Sequence, residues 1–267
     1  MLEKKKLLIG AAGVALAAAY SAPVDAKVTL MADEPSGWSF SVDGNVNAFV
    51  VYSSGTADAN IGTAHAAQRS SSGDNTRIQT GLLPSKFGFG VQGPASNGVQ
   101  LRGYFGLYPQ IQNSATKTAR GAQIDMREIY AAASGDFGEI LFGRTLSLFQ
   151  RNAIVQDMTL FGVGVAAGNI AGTTLGRIRV GYVYADWYPQ ITWTTPGLGP
   201  IGAKVGIMQA TPLQSSTGAD ATNTETPRVE AQLDYSVELG GLGAYIWVDG
   251  QYQNVGRTTA CLLYTSP

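Results

Sequence analysis

The sequence predicts an all-β protein, a transmembrane antiparallel β-barrel, and three observations lead to this fold class. Apolar and polar residues alternate with a period of two, long polar connections alternate with short turns, and charged residues make up only 14% of the chain. A sheet that spans a bilayer must close on itself, because every backbone polar group there needs a protein partner. Its lipid-facing side chains are then apolar and its interior side chains polar.

The composition excludes several classes of protein. The chain has 267 residues, a formal net charge of −1, one histidine and one cysteine. A near-neutral charge argues against nucleic acid as a partner, because proteins that bind it carry a basic patch or stripe. One histidine and one cysteine cannot assemble a His/Cys zinc site, which takes three or four such ligands. We therefore predict no catalytic residues, no metal site and no cofactor, and a protein that is not an enzyme.

The first 26 residues have the pattern of a secretory signal peptide. Lys4–Lys6 precede an uncharged apolar run from Leu7 to Tyr20, and a stretch of small residues ends at Ala26. The apolar run is shorter than the roughly 20 residues that a membrane-spanning helix needs. A basic start, a short apolar region and a small-residue cleavage site predict a cleaved signal peptide over residues 1–26. The mature barrel then covers residues 27–256.

The mature chain contains nine predicted strands. The clearest runs from Arg228 to Leu239, where every even position is polar and every odd position is apolar. Because a strand has a side-chain period of two, this segment has one polar and one apolar face. The predicted strands, in chain order, are 38–53, 76–91, 98–111, 122–134, 138–145, 186–195, 201–211, 227–239 and 243–255. Residues 173–185 form either a further strand or part of a loop.

The connections between these strands differ in length in a regular way. Long connections lie near 53–75, 112–121, 146–172 and 211–226, and short turns lie at 93–98, 134–138, 196–200 and 240–242. Long loops on one side and tight turns on the other are typical of outer-membrane barrels. A soluble β-sandwich also alternates, but it rarely sustains strands this long. A secreted β-sandwich enzyme is therefore disfavoured.

Three segments resemble the general diffusion porins of Gram-negative outer membranes. Gly37–Asn47 is similar to the first strand of that family, Ser85–Gly90 to its second strand, and Arg127–Arg144 to the strands before its third loop. The resemblance extends over about residues 27–256. It implies a homotrimer of 16-stranded barrels in outer-membrane lipid, of which this chain carries the N-terminal part. The implied function is passive diffusion of small hydrophilic solutes and ions.

The resemblance also implies that the third loop folds into the lumen and narrows it. Residues 146–172 stand where this loop is expected. Arg151 and Asp157 are their only charged residues, and the rest is mostly small and apolar, which suits an inward position. Asp157 is the only carboxylate of the loop, so the loop itself has little attraction for cations.

The predicted pore constriction combines this loop with a basic wall. Its predicted residues are Arg77, Arg102, Arg127 and Arg144 on the strands, facing Asp157 on the loop. Charges on facing walls of a pore orient water and discriminate between ions. Such a wall favours a weak preference for anions. The alternative is that the arginines pair with Asp125, Glu230 or Asp234 in the lumen.

Two charged residues stand on apolar faces of the predicted strands. Arg144 shares its parity with Phe142, so an inward direction needs a bulge or a cover provided by the loop. Glu128 shares its parity with Met126, which directs the carboxylate towards lipid. A charge that faces the bilayer core is unfavourable by a few kcal/mol, although less so for Glu than for Arg or Lys. Burial between subunits would remove that cost, and we predict Glu128 as a subunit-interface residue.

Residues 257–267 break the alternation and contain the only cysteine, Cys261. We predict that they are a non-native tail without function. A second function stays open for the barrel, that of an outer-membrane adhesin or receptor that binds a partner through its long extracellular loops. Conductance separates the two functions, because a plugged barrel does not pass ions freely.

Overall fold

The computed structural model describes residues 28–33, 36–53, 75–111, 124–157, 160–163, 185–210, 226–239 and 242–254. The predicted signal peptide, the predicted tail and residues 173–184 of the ambiguous stretch lie outside these ranges. Within these ranges, no helix is both long and apolar enough to cross a membrane.

The described residues form twelve strands and one short helix. In chain order they are β1 (Val28–Asp33), β2 (Trp38–Asn45), β3 (Phe49–Ser53), β4 (Asn75–Gln79), β5 (Lys86–Gln92), β6 (Gln100–Pro109), β7 (Ile124–Gly135), β8 (Gly138–Leu146), α1 (Arg151–Val155), β9 (Trp187–Thr194), β10 (Ile201–Met208), β11 (Arg228–Leu239) and β12 (Leu242–Tyr252).

Ten of these strands form one antiparallel sheet. Their order is β1-β2-β5-β6-β7-β8-β9-β10-β11-β12, and β3 and β4 pair with each other in a separate two-stranded sheet. From β5 onwards each strand pairs with the next in the chain, which is the connectivity of an up-and-down barrel. Among the described residues β1 and β12 are the two edges, so the sheet is not closed there. The sheet confirms the predicted all-β antiparallel fold class.

The two faces of the sheet differ in the manner of a membrane protein. On β11, Val229 and Leu233 are 41% and 50% exposed, whereas Glu230 and Gln232 are 1% and 3% exposed. The apolar side chains thus cover the outer face, and the polar ones lie inside. The 12 residues of β11 extend about 40 Å at 3.3 Å per residue. With a tilt of about 45° they rise about 28 Å, which is enough to cross an apolar band of roughly 25 Å.

The first two predicted strands are each interrupted in the structure. Between β2 and β3, the side chain of Asn47 accepts a hydrogen bond from the Gly81 N–H (2.8 Å) and donates one to the Leu83 carbonyl (2.9 Å). These bonds replace the regular ladder, since a short polar side chain can compete with backbone pairing. Pro84 lies in the second interruption, between β4 and β5. A proline has no N–H to give to a ladder.

Candidate functional site

The segment that follows β8, of which the structure describes residues 147–157 and 160–163, is anchored on the inner face of β11 by one buried carboxylate. Oε2 of Glu230 accepts hydrogen bonds from the backbone N–H groups of Leu148 (2.8 Å) and Phe149 (2.9 Å). Its Oε1 lies 3.5 Å from Nη1 of Arg228, and the Glu230 side chain is 0% exposed. A buried N–H group needs a hydrogen-bond acceptor, and this carboxylate is the acceptor for two such groups. The start of the segment is thereby fixed against β11.

The next residues of the segment contact β12. The Gln150 N–H donates to Oδ2 of Asp249 (3.2 Å), and Nδ2 of Asn152 donates to the Tyr245 hydroxyl (3.3 Å). Gln150 has a φ of +62° immediately before α1. A residue other than glycine rarely adopts this left-handed conformation. The conformation sets the direction in which α1 leaves the wall.

The far end of the segment is bonded to the interruption between β4 and β5. The Leu82 N–H donates to the Gly162 carbonyl (2.8 Å), and the Leu83 N–H donates to the Leu160 carbonyl (2.9 Å). The interruption removes these two donors from the regular ladder of the sheet. Residues 160–163 therefore complete the hydrogen bonding of the wall at this point.

Apolar side chains fill the space between the segment and the wall. The cluster consists of Leu146, Ile154, Leu160, Ala185 and Trp187, with Leu83 packed against it. Full burial of a large apolar side chain is worth about 1.5–3 kcal/mol. The segment is therefore held by packing as well as by hydrogen bonds at its two ends.

Arg102, a predicted constriction residue, lies on the inner face of β6 in an ion pair. Its Nη2 is 2.8 Å from Oε1 of Glu139, and its Nε donates to Oε2 at 3.1 Å. The guanidinium also lies over the ring of Tyr130, at 5.2 Å from the centroid. A bidentate pair of this kind neutralises the arginine. Arg102 is thus paired, but with Glu139, which is not among the carboxylates predicted as partners from the sequence.

Arg127 is also paired, and it is buried. Its Nε is 2.8 Å from Oδ2 of Asp125, and its side chain is 3% exposed. The guanidinium lies over the rings of both Tyr108 (5.2 Å) and Trp187 (4.6 Å). Arg102 is opposite Ala132, five positions from Arg127 along β7, which is roughly 16 Å along the strand. The two arginines do not form one cluster.

Glu128 points into the interior, so the lipid-facing orientation predicted from its parity is wrong. In the register of β6 and β7, Gly106 pairs with Glu128 and Leu107 pairs with Met126, so Arg127 is an extra, unpaired residue. Such a β-bulge reverses the parity of all residues that follow. The Glu128 carboxylate accepts a hydrogen bond from the Tyr108 hydroxyl (2.6 Å) and lies 3.3 Å from Nζ of Lys86. The prediction that Glu128 is a subunit-interface residue rested on a lipid-facing carboxylate, so it loses its support.

The interior position of Glu128 leads to a testable expectation. Glu128→Leu should lower the free energy of unfolding by about 2 kcal/mol, because it removes charged hydrogen bonds to Tyr108 and Lys86. Urea unfolding of the protein in detergent measures the change. Met126→Leu, on the outer face of the same strand, is the control and should change the stability little. A Glu128→Leu protein that keeps its stability but loses its assembly would contradict the interior placement.

The other three predicted constriction residues have different positions. Arg144 is opposite Ile129 on β7 and Pro189 on β9 without a bulge, so it keeps the outward parity and does not point into the lumen. The inward direction predicted for Arg144 is therefore wrong. Asp157 lies just after α1, where its carbonyl accepts a hydrogen bond from the Leu160 N–H (3.0 Å). Arg77 is opposite Val51 in the β3–β4 pair, and the structure does not describe its side chain.

Several inner residues were not singled out by the sequence pattern. They are Lys86, Glu139, Lys204, Arg228 and Asp249, all on the inner face of the sheet. In the sequence, these residues were marked only by their place at the polar positions of the alternating strands. Parity identifies the inner face, but it does not reveal which charges meet.

An antiparallel sheet with an apolar outer face, a charged inner face and a chain segment bound to its inside is the arrangement of an outer-membrane β-barrel protein. A family model described as Gram-negative porin matches residues 7–262. The chain therefore belongs to the Gram-negative porin family, and its place is the outer membrane.

Among solved structures, the chain is similar to the anion-selective porin from Comamonas acidovorans. The two share 16% sequence identity, with a TM-score of 0.48 over 79% of this chain. The chain spans 57% of the length of that protein. No curated protein matches the sequence.

Proposed function

We propose that this porin is a passive channel for small hydrophilic solutes and ions, and that the segment after β8 folds into its lumen and constricts it. The observation that carries the proposal is the position of the two anchors of this segment. One anchor is on β11 and β12, and the other is at Leu82 and Leu83, next to β5.

The distance between the anchors supports a path across the interior. From β5 to β12 the wall covers seven strand spacings, or about 34 Å at 4.8 Å each. From Gln150 to Leu160 the chain has ten residue steps, five of them within or entering α1. Helical steps of 1.5 Å and extended steps of about 3.4 Å give at most roughly 25 Å. The segment is too short to follow the wall, which supports a path along a shorter chord through the lumen.

The inner face is suited to water and ions. Its cations and carboxylates form ion pairs, such as Arg102 with Glu139 and Lys86 with Asp43 (3.5 Å). Paired charges keep the wall polar without binding any one solute tightly, and conduction requires weak binding of this kind. We include in the proposal the homotrimer and the export through a cleaved signal peptide over residues 1–26. The long loops of the adhesin alternative lie mostly outside the described residues.

Labelling of the inserted segment tests the constriction. Val155 lies on α1 and is 46% exposed. In a Cys261→Ala background, Val155→Cys is reconstituted in planar bilayers and treated with a bulky, membrane-impermeant thiol reagent. We expect single-channel conductance to fall at least about two-fold, because the added group narrows the pore at its constriction.

The matched control is Val248→Cys, which lies on the outer face of β12 and is 63% exposed. The same reagent should leave its conductance unchanged. Equal conductance of labelled and unlabelled Val155→Cys channels would remove the constriction from the proposal. The absence of any conductance in the unmodified protein would reject the channel itself.

A further inference from the structure

The cations of the inner face fall into two groups. Four of them have a carboxylate within ion-pair distance, namely Lys86, Arg102, Arg127 and Arg228. Across the ranges that the structure describes, Lys204 on β10 and Arg151 on α1 have no such partner. Unlike Arg144, which is on the outer face, both belong to the side of the sheet that faces the lumen. A charge without a counter-ion has a longer-range field than a paired one.

Lys204 is in the middle of the inner wall. It is opposite Thr194 on β9 and Gln232 on β11, and Gln232 is in turn opposite Asp249 on β12. Directly opposed side chains on neighbouring strands are about 5 Å apart. Lys204, Gln232 and Asp249 therefore form a row about 10 Å long, which runs across the strands from β10 to β12 in the hydrogen-bonding direction.

Arg151 stands on the loop side of this row. The residue before it, Gln150, donates its N–H to Oδ2 of Asp249 at the end of the row. Arg151 is one turn of α1 from the exposed Val155, so the two side chains share a face of the helix. Ile154, three positions after Arg151, is buried against the wall, so Arg151 lies between the packed side of α1 and its exposed side. Arg151, Asp234 and Glu139 are the charged residues that act on Lys204 electrostatically.

The nearby carboxylates each accept hydrogen bonds from a group other than these two cations. Glu139 is bidentate with Arg102. Asp234 accepts a hydrogen bond from Nε2 of Gln232 (3.1 Å), and Asp249 accepts the one from Gln150. Within the described residues, no carboxylate lies within ion-pair distance of either cation, and both residues are placed where the segment after β8 meets the inner wall. Two cations of this kind attract a mobile anion. Conduction requires that the anion bind strongly enough to enter the site and weakly enough to leave it.

We infer that Arg151 and Lys204 form the anion-attracting step of the channel, at which a small anion such as chloride or a short carboxylate passes between the inserted segment and β10. The inference rests on the proposed function, and it assigns the selectivity to two residues outside the predicted arginine wall. The predicted preference for anions is thus assigned to Arg151 and Lys204 instead of the arginine wall.

Reversal potentials in a KCl gradient test the assignment. The protein is expressed with its leader, extracted from outer membranes in detergent and reconstituted in planar bilayers at low salt. Arg151→Gln and Lys204→Gln should each lower the chloride-to-potassium permeability ratio about two-fold, since a unit charge several ångströms from an ion in water is worth about RT. The double variant should lower it about four-fold.

The matched control is Arg144→Gln, which removes the same charge from the outer face and should leave the ratio unchanged. An unchanged ratio in conducting Arg151→Gln and Lys204→Gln channels overturns the assignment and leaves the proposed channel in place. An equal loss in Arg144→Gln also overturns it. A wild-type protein that does not conduct rejects the proposed function, and the inference falls with it.

Discussion

Glu230→Ala is expected to lower the free energy of unfolding by about 3–5 kcal/mol, the cost of breaking a buried ion pair by removing one partner. The substitution removes the acceptor of the Leu148 and Phe149 N–H groups and leaves Arg228 without its carboxylate. The inserted segment then has no fixed start on β11. We expect single-channel current noise to rise and the mean conductance to change together with the loss of stability.

Two variants separate the anchor from a general loss of charge. Glu230→Gln keeps an acceptor oxygen for the two N–H groups, so it should retain a quieter current than Glu230→Ala. Glu238 is on the same strand and is exposed, and Glu238→Gln should leave both stability and current unchanged. Denaturant unfolding in detergent and planar-bilayer recordings supply the two measurements. A quiet, stable Glu230→Ala channel would contradict the role of Glu230 as an anchor.

Gly143→Val is expected to prevent the folding of the barrel or to destabilise it by more than about 3 kcal/mol. Gly143 lies in β8 with a φ of +131°, and a Cβ there would meet the Ile129 carbonyl oxygen and come within 2.5 Å of the Tyr130 Cα. These obstacles are backbone atoms of β7, which cannot move without breaking the ladder. A β-branched side chain is also strained at positive φ.

Gly250→Val is the control for this substitution. Gly250 lies in β12, and no atom is within 4 Å of the Cβ that would be added. Its valine should therefore be tolerated. Electrophoretic mobility before and after heating distinguishes folded from unfolded barrels. A Gly143→Val protein that folds as fully as Gly250→Val would show that β7 and β8 do not approach each other as described.

The sequence allowed most of the sheet to be predicted, because alternation is a local signal. The strands from β6 to β12 agree with the predicted segments to within a few residues, and the alternation in Arg228–Leu239 correctly separates the inner from the outer face of β11. β1 was not predicted. Its six residues, Val28–Asp33, contain three consecutive apolar residues at Leu30, Met31 and Ala32 and follow the predicted cleavage site directly.

The errors come from places where the ladder is not regular. The bulge at Arg127 reverses the parity of Glu128, and no local pattern in the sequence marks it. The interruption between β4 and β5 had a visible signal, since Pro84 lies inside the predicted strand 76–91. Its consequence, two N–H groups available to the inserted segment, depends on contacts between distant parts of the chain. Periodicity carries no information about such contacts.

The candidate site was predictable in kind but not in detail. Position and composition favoured an inward position for residues 146–172, of which the structure describes 146–157 and 160–163. They could not indicate that Glu230 holds the segment, because the alternation presents Glu230 as one polar residue among many on β11. Likewise, the pairing of Arg102 with Glu139 depends on the register of β6, β7 and β8. A single sequence does not determine that register.

The central claim is that the segment after β8 crosses the lumen to the wall beside β5. Leu83 and Leu160 pack in one cluster, and their backbones are joined by a hydrogen bond of 2.9 Å. The most direct test is oxidation of a Leu83→Cys, Leu160→Cys double variant in a Cys261→Ala background, followed by non-reducing electrophoresis. Val205→Cys with Ala231→Cys, directly opposed on β10 and β11, shows that the oxidant works. We predict a disulfide in both pairs. A disulfide in the control pair alone would contradict the crossing.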